Sequence, residues 1–168
     1  EAGVRSHFDQ AVDMGELLHV IVEDAQFEAQ SFPPAEQRQI ILQGETSALV
    51  QGNPELLHRA IENVVRNAIK HTPADTDVVV VLHETPSRQL SIQVMDQGNG
   101  VAEGELESIF QPFFRSKEGN SPDGHGLGLA IARNVLTAHQ GSITAQNRPE
   151  GGLCVNMLLP MMAGEFAG

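Results

Sequence analysis

Residues 63–72 read Asn-Val-Val-Arg-Asn-Ala-Ile-Lys-His-Thr. Wound as a helix that turns about 100° per residue, this stretch gathers Asn63, Asn67 and Lys70 within an arc of roughly 60°. Leu57, Ile61, Val64 and Ala68 fall on a separate arc and face a core. One helix thus presents two amides and an ammonium beside its apolar stripe. An amide oxygen is a hard, neutral ligand suited to Mg²⁺, which takes its other ligands from phosphates and water. An ammonium meets a phosphate as a point charge. The competing reading of the three residues is a solvated polar face.

Three further stretches carry chemistry of the same kind. Asp96-Gln97-Gly98-Asn99-Gly100 follows a strand. Gly98 and Gly100 permit a tight turn and the close approach of a flat ligand. Asp96 can accept a hydrogen bond from an exocyclic amine such as that of adenine; an ordinary Asp/Gly turn is the alternative. Gly124-His125-Gly126-Leu127-Gly128-Leu129 opens a helix, where unpaired backbone N–H groups and the helix dipole attract phosphate. It is not a Walker loop, because no Gly-Lys-Ser/Thr follows. Nor is it a dinucleotide fingerprint, because the spacing is G-x-G-x-G with no strand before it. A flexible linker running into a helix is the alternative. Phe110-Gln111-Pro112-Phe113-Phe114-Arg115 begins a loop that its aromatics could pin at the base. Arg115 and Lys117, two of only ten Lys and Arg, lie on that loop. A hydrophobic anchor unrelated to any ligand is the other reading.

The elements that must position these residues are legible. Asp13 caps a helix over residues 14–30, whose stripe is Leu17, Leu18, Ile21, Val22, Ala25 and Ala29. Phe32-Pro33-Pro34 ends it. Residues 40–42 and 48–50 read as short strands. Asn53-Pro54 starts a helix that runs to about Lys70, and Thr72-Pro73 stops it. Residues 77–83 and 90–95 are strands around a Pro86-Ser87 turn. Residues 103–110 read as a short helix and 111–126 as a loop, whose length is typical of a functional segment. Residues 127–139 are helical with Gly141 just past the end, and 142–147 and 153–159 are strands. Adjacent β runs suggest antiparallel pairing. The predicted fold is an α+β two-layer sandwich: one mixed, mostly antiparallel sheet with helices on one face. Residues 1–12 read as a connector, 13–160 as the domain and 161–168 as a tail.

The bulk composition narrows the function. The 168 residues suffice for one domain with a proper core. A formal net charge of −12 repels nucleic acid and anionic membranes, so an anionic ligand needs local cations or a metal. Cys154 is the only cysteine, which excludes an intrachain disulfide and reads as a buried, reduced thiol. No apolar run approaches the ~20 residues of a membrane helix. The chain opens at Glu1 rather than Met. It is expected to be a piece of a longer protein with membrane segments upstream.

In their order and spacing the four motifs resemble the catalytic, ATP-binding domain of bacterial sensor histidine kinases, in the superfamily that also holds gyrase, Hsp90 and MutL. Residues 63–72 resemble its N box, and 96–100 with Val101 its first glycine box. Residues 110–113 resemble the F box, 124–129 the second glycine box, and Gly151-Gly152 the closing glycine motif. The resemblance spans residues 14–160. Residues 25–29 and 62–67 are similar to envelope-stress sensors of the Cpx type. The resemblance implies the ATP-lid (Bergerat-type) fold with ATP and Mg²⁺ as ligands. It implies that Asp96 holds the adenine amino group while Val101 and His71 line the base. Asn67, with Asn63, would bind Mg²⁺. Lys70 and Arg115 would meet phosphate oxygens, and the N–H groups of Gly126, Leu127 and Gly128 would cradle the phosphate tail. Gly98, Gly100, Phe113, Gly124 and Leu129 complete the implied nucleotide site. Residues 111–125 would order on nucleotide binding. The implied activity is donation of the γ-phosphoryl group to a histidine on the kinase's own dimerisation domain. The implied partners are that domain and a cognate response regulator. The parent would be a homodimeric inner-membrane sensor with this domain in the cytoplasm; the fragment itself would be monomeric.

Three departures refine the expectation. Hydrolytic members carry a glutamate four residues before the Mg²⁺ asparagine, where this chain has Asn63. Glu62 is adjacent but turned about 100° away. An amide cannot serve as general base, which argues for transfer over hydrolysis. Leu153-Cys154 stands where relatives often have Ser or Thr, leaving no hydroxyl for a second, water-mediated adenine contact. His125 replaces a frequent Thr or Ser and reads as a side chain of the loop. None of the seven histidines sits in a His-Glu/Asp-x-x-x-Pro setting: His7 precedes Phe8-Asp9 and His139 precedes Gln140-Gly141. The acceptor is therefore expected before Glu1, and self-phosphorylation of this chain is not expected. The alternatives are a hydrolytic ATPase module, a serine kinase of the anti-sigma kind, and a non-catalytic nucleotide-binding module.

Overall fold

The computed structural model describes residues 8–114 and 127–163. Arg115, Lys117, Gly124, His125 and Gly126 lie outside the described residues, as do residues 1–7 and 164–168.

The chain opens with β1 (Gln10–Asp13) and α1 (Met14–Ala29). Asp13 caps α1 as expected, its Oδ1 accepting the Glu16 N–H at 3.1 Å. After a 3₁₀ turn at Pro34–Glu36 come β2 (Gln39–Gln43), β3 (Leu49–Gly52) and α2 (Pro54–His71). Asn53 caps α2 by accepting the Leu56 N–H at 3.0 Å. Then follow β4 (Asp77–Glu84), β5 (Gln89–Met95), α3 (Gly128–Ala138), β6 (Ser142–Asn147) and β7 (Leu153–Pro160).

Five strands form one mixed sheet in the order β2-β4-β5-β7-β6. β2 runs parallel to β4 because β3 and α2 intervene and return the chain to the same end; every other pair is antiparallel. The register aligns the apolar residues across the sheet. Val80 faces Val94, Leu82 faces Ile92, and Ile92 and Leu90 face Met157 and Leu159. All are buried in one core with Leu18, Ile21, Ile61, Val64 and Leu136 of the helices. Strand side chains alternate faces, so the other face is free to be polar. There Ser91 Oγ donates to Asn156 Oδ1 at 3.0 Å.

Two readings change. Residues 10–13, at the end of the stretch read as connector, form β1 and pair antiparallel with β3. Val12 sits opposite Val50 and both are buried, so a second, two-stranded sheet forms beside the main one. Residues 103–110 are two separate 3₁₀ turns, Glu103–Glu105 and Ser108–Phe110, rather than a helix. Only Phe110 among them is buried, and a segment of about two turns with Gly104 inside lacks the packing that offsets helix nucleation. Gly141 lies just past the end of α3 as expected, and the left-handed residue there is Gln140, at φ 66°. Gly141 is needed for space, because a Cβ would overlap the Leu158 carbonyl.

Candidate nucleotide-binding site

The candidate site runs along α2, from the start of α3 to the loop after β5. As predicted, α2 buries Leu57, Ile61, Val64 and Ala68. Asn63 and Asn67 are half-buried beside that stripe and Lys70 is exposed. Asn63 Nδ2 donates to the Gly128 carbonyl at 3.2 Å, tying α2 to the first residue of α3. Eight residues further, the Gly98 backbone lies against the His71 carbonyl so closely that a Cβ would overlap it. At about 1.5 Å of rise per residue these two anchor points are about 12 Å apart along α2. The helix therefore sets the distance between a glycine-bearing helix start and the Asp96 loop.

Asp96 is buried at 3% exposure. Its Oδ1 accepts two backbone N–H groups, from Gly98 at 2.9 Å and Leu153 at 3.1 Å. Among the described residues no hydrogen bond falls on Oδ2, and no buried side-chain oxygen lacks a partner. Oδ2 is therefore not sealed in and is free to act as an acceptor. The Leu153 main chain thus helps to hold the carboxylate. Gly152, at φ 100°, lets β7 begin against the Asp96 carbonyl, where any Cβ would clash.

Thr72, buried at 1%, fastens the same loop to the end of α2. Its Oγ1 accepts the Gln97 N–H at 2.9 Å and pairs with Thr76 Oγ1 at 2.9 Å. Arg38 Nε donates to the Thr72 carbonyl at 2.9 Å. His71 keeps exposed surface, yet the protein packed around its ring pushes its pKa below the ordinary 6.5. This desolvation outweighs the upward pull of Asp96, and Lys70 adds a further downward push.

At the other end, Leu127 precedes α3 with no side chain capping the helix, and the Ile131 N–H is already bonded to Leu127 C=O at 2.9 Å. The N–H groups of Gly128, Leu129 and Ala130 thus form an uncapped first turn, with the helix dipole behind them. A Cβ on Gly128 would meet Asn63 only at 3.7 Å, so packing does not require this glycine. Among the described residues neither a carboxylate nor a hydrogen-bond partner holds Lys70, and no hydrogen bond holds the Asn67 amide. Glu62 is engaged elsewhere: it meets Arg66 at 3.4 Å and His58 at 3.9 Å on the outer side of α2.

The structure therefore places Asn63, Asn67, Lys70 and His71 along α2, with Gly128 bonded to Asn63 and Gly98 against His71; Asp96, Gly100 and Val101 belong to the Gly98 loop and Leu129 to the first turn of α3. Phe113 is 70% exposed, at φ 62°. Of the F-box aromatics, Phe110 is the buried anchor. Sequence reasoning missed Asn147 and Arg148, which reach back to this loop from the end of β6. Their signal, a polar pair closing a strand, is too common to single out.

Residues 52–163 match the family described as Histidine kinase-, DNA gyrase B-, and HSP90-like ATPase. The chain is 36% identical over 116 residues to the sensor protein KdpD of Escherichia coli K12, covering 69% of this chain and 13% of that protein. It is 30% identical over 162 residues to the sensor histidine kinase CpxA of the same organism, covering 90% of this chain and 32% of that protein. Among solved structures, the mycobacterial sensor histidine kinase MprB superposes with a TM-score of 0.78 at 28% identity, covering 90% of this chain and 98% of that one. The chain thus spans about a third or less of these two curated relatives. With a matching fold and a family match across two thirds of its length, this chain belongs to the histidine kinase-, DNA gyrase B- and HSP90-like ATPase family.

Proposed function

We propose that the chain binds Mg-ATP along α2 and donates the γ-phosphoryl group to a histidine on a separate dimerisation domain of a two-component sensor kinase. The observation that carries this reading is the Asp96 carboxylate, one oxygen holding two main-chain N–H groups and the other with no hydrogen bond from the described residues. That arrangement suits an exocyclic amine donor, as adenine presents and guanine does not at the same ring position. Val101 and His71 flank it. The uncapped turn at Gly128 and Leu129 and the ammonium of Lys70 fit the phosphates. Asn67, with the Asn63 oxygen, fits Mg²⁺, which when bound would neutralise phosphate charge. Arg115, Gly124 and Gly126 belong to the same proposal by their motifs.

Transfer rather than hydrolysis follows from the groups on α2. The Asn63 amide already donates to Gly128, and Glu62 faces Arg66 and His58. Neither the side chain at position 63 nor the neighbouring Glu62 is thus placed to activate water. The rest of the sensor is proposed with it: an upstream dimerisation domain, a homodimeric parent in the inner membrane, this domain in the cytoplasm and a response regulator as final acceptor.

The test supplies the parent's dimerisation domain in trans with γ-labelled ATP and Mg²⁺. Acid-labile, base-stable label should appear on that domain's histidine and none on this chain. Rapid hydrolysis by the chain alone, abolished by Glu62→Gln, would overturn the transfer reading, as would stable label on one of its own histidines.

A further inference from the structure

We infer that Asn147, with Arg148 beside it, is a positioning residue for base recognition: it fixes the Asp96–Val101 loop from behind without touching nucleotide. This rests on the reading of Asp96 and Val101 as the base-contacting residues. Asn147 ends β6 and is half-buried. Its Oδ1 accepts the Val101 N–H at 2.9 Å, and its Nδ2 donates to the Val101 carbonyl at 2.7 Å and to Glu103 Oε2 at 3.2 Å. One amide therefore takes both main-chain groups of the residue that would form the wall of the base pocket, as a neighbouring strand would. The next residue grips the other end of the loop. Arg148 Nη1 donates to the Asp96 carbonyl at 2.6 Å, while its own N–H bonds the Gly152 carbonyl at 2.8 Å. Gly100, between the two grips, stands at φ 70°, and a Cβ there would overlap Asn147 Oδ1. The glycine of the motif is thus fitted to the asparagine behind it.

An amide matches this position. A hydroxyl would have to serve both bonds from a single oxygen, whereas the amide presents separate acceptor and donor atoms to the Val101 N–H and C=O. A carboxylate keeps the acceptor but turns the donor into a second negative oxygen facing the Val101 carbonyl and Glu103.

The experiment compares wild type, Asn147→Ala and Asn147→Asp by calorimetry with ADP, GDP and Mg-tripolyphosphate, each protein checked for folding by circular dichroism. Both variants should bind ADP roughly tenfold more weakly, the scale of one or two lost hydrogen bonds. Their preference for ADP over GDP should shrink by the same factor, with tripolyphosphate binding unchanged. A space-filling role would spare the nearly isosteric aspartate. ADP affinity within about twofold of wild type in Asn147→Asp would overturn the inference. So would a parallel loss for all three ligands, or failure of both variants to fold. A wild-type protein with no preference for ADP over GDP would instead overturn the base-pocket reading on which it stands.

Discussion

Exchanging Asp96 for asparagine alters one atom and one charge at the centre of the proposed base pocket. The orientation of the new amide is dictated by the structure. Gly98 and Leu153 both point N–H groups at Oδ1, so the amide carbonyl must stay there and the NH₂ must take the place of Oδ2. The flipped amide would set three donors against one another. Two hydrogen bonds then lose a charged acceptor, which weakens folding on the order of 1–2 kcal/mol. The effect on adenine is larger, because a donor now meets a donor. A hydrogen bond to a charged acceptor is worth about 1.5–3 kcal/mol, so ADP affinity should fall roughly 10- to 150-fold. Hypoxanthine carries a carbonyl where adenine carries its amine, so the variant should favour IDP over ADP while wild type favours ADP. Calorimetry is the assay, since the chain has no Trp or Tyr to report binding. Asp96→Asn that binds ADP as wild type does, and IDP no better, would refute the assignment of Oδ2 to the exocyclic amine.

Gly128→Ala should leave the fold intact or raise its stability by up to about 1 kcal/mol, because the new methyl meets only ordinary contact with Asn63. It should weaken ADP more than adenosine in a side-by-side titration; equal loss would remove Gly128 from the phosphate end. Gly152→Ala should instead destabilise by at least ~2 kcal/mol in urea unfolding, since φ is 100° and the Cβ would overlap the Asp96 carbonyl. The depressed pKa of His71 gives a signed pH effect. Its unfolded form takes up a proton first as pH falls below 6.5, so the unfolded state binds more protons and stability drops from pH 6.5 down to the folded pKa. Melting temperatures of wild type should fall more steeply across that window than those of His71→Gln; parallel curves would contradict it. Burial, helped by Asp96 and opposed by Arg148, raises the Cys154 thiol above 9.0. Native protein at pH 8 should alkylate at least roughly tenfold more slowly than unfolded protein, and equal rates would show the thiol to be accessible.

Local signals made much of this molecule legible in advance. Asp13 and Asn53 cap their helices through side-chain bonds three residues long, and the apolar stripes of α1 and α2 are buried where the 3.6-residue period puts them, with Leu17 and Ala25 of α1 only partly so. The glycines stand where they do for different reasons. Gly98 and Gly152 are close approaches of main chain, whereas Gly128 has room for a Cβ. What stayed hidden depends on partners far along the chain. β1 buries only Val12 of its four residues and offers no alternation to read; its partner β3 begins at Leu49. The parallel pairing of β2 with β4 follows from how α2 returns the chain, not from either strand's composition. Asn147 acts on Val101 across 46 positions through main-chain groups that every residue carries. Asn63 looked like a second Mg²⁺ ligand, and the structure shows its amide nitrogen also building the link to α3.

The most direct test of the central claim is a calorimetric titration of the chain with a non-hydrolysable ATP analogue, with and without Mg²⁺, beside Asn67→Ala. The account predicts binding that Mg²⁺ strengthens, with the Mg²⁺-dependent gain lost in the variant. Well-folded protein that binds no analogue, or binds it with the same affinity whether or not Mg²⁺ is present, would contradict it.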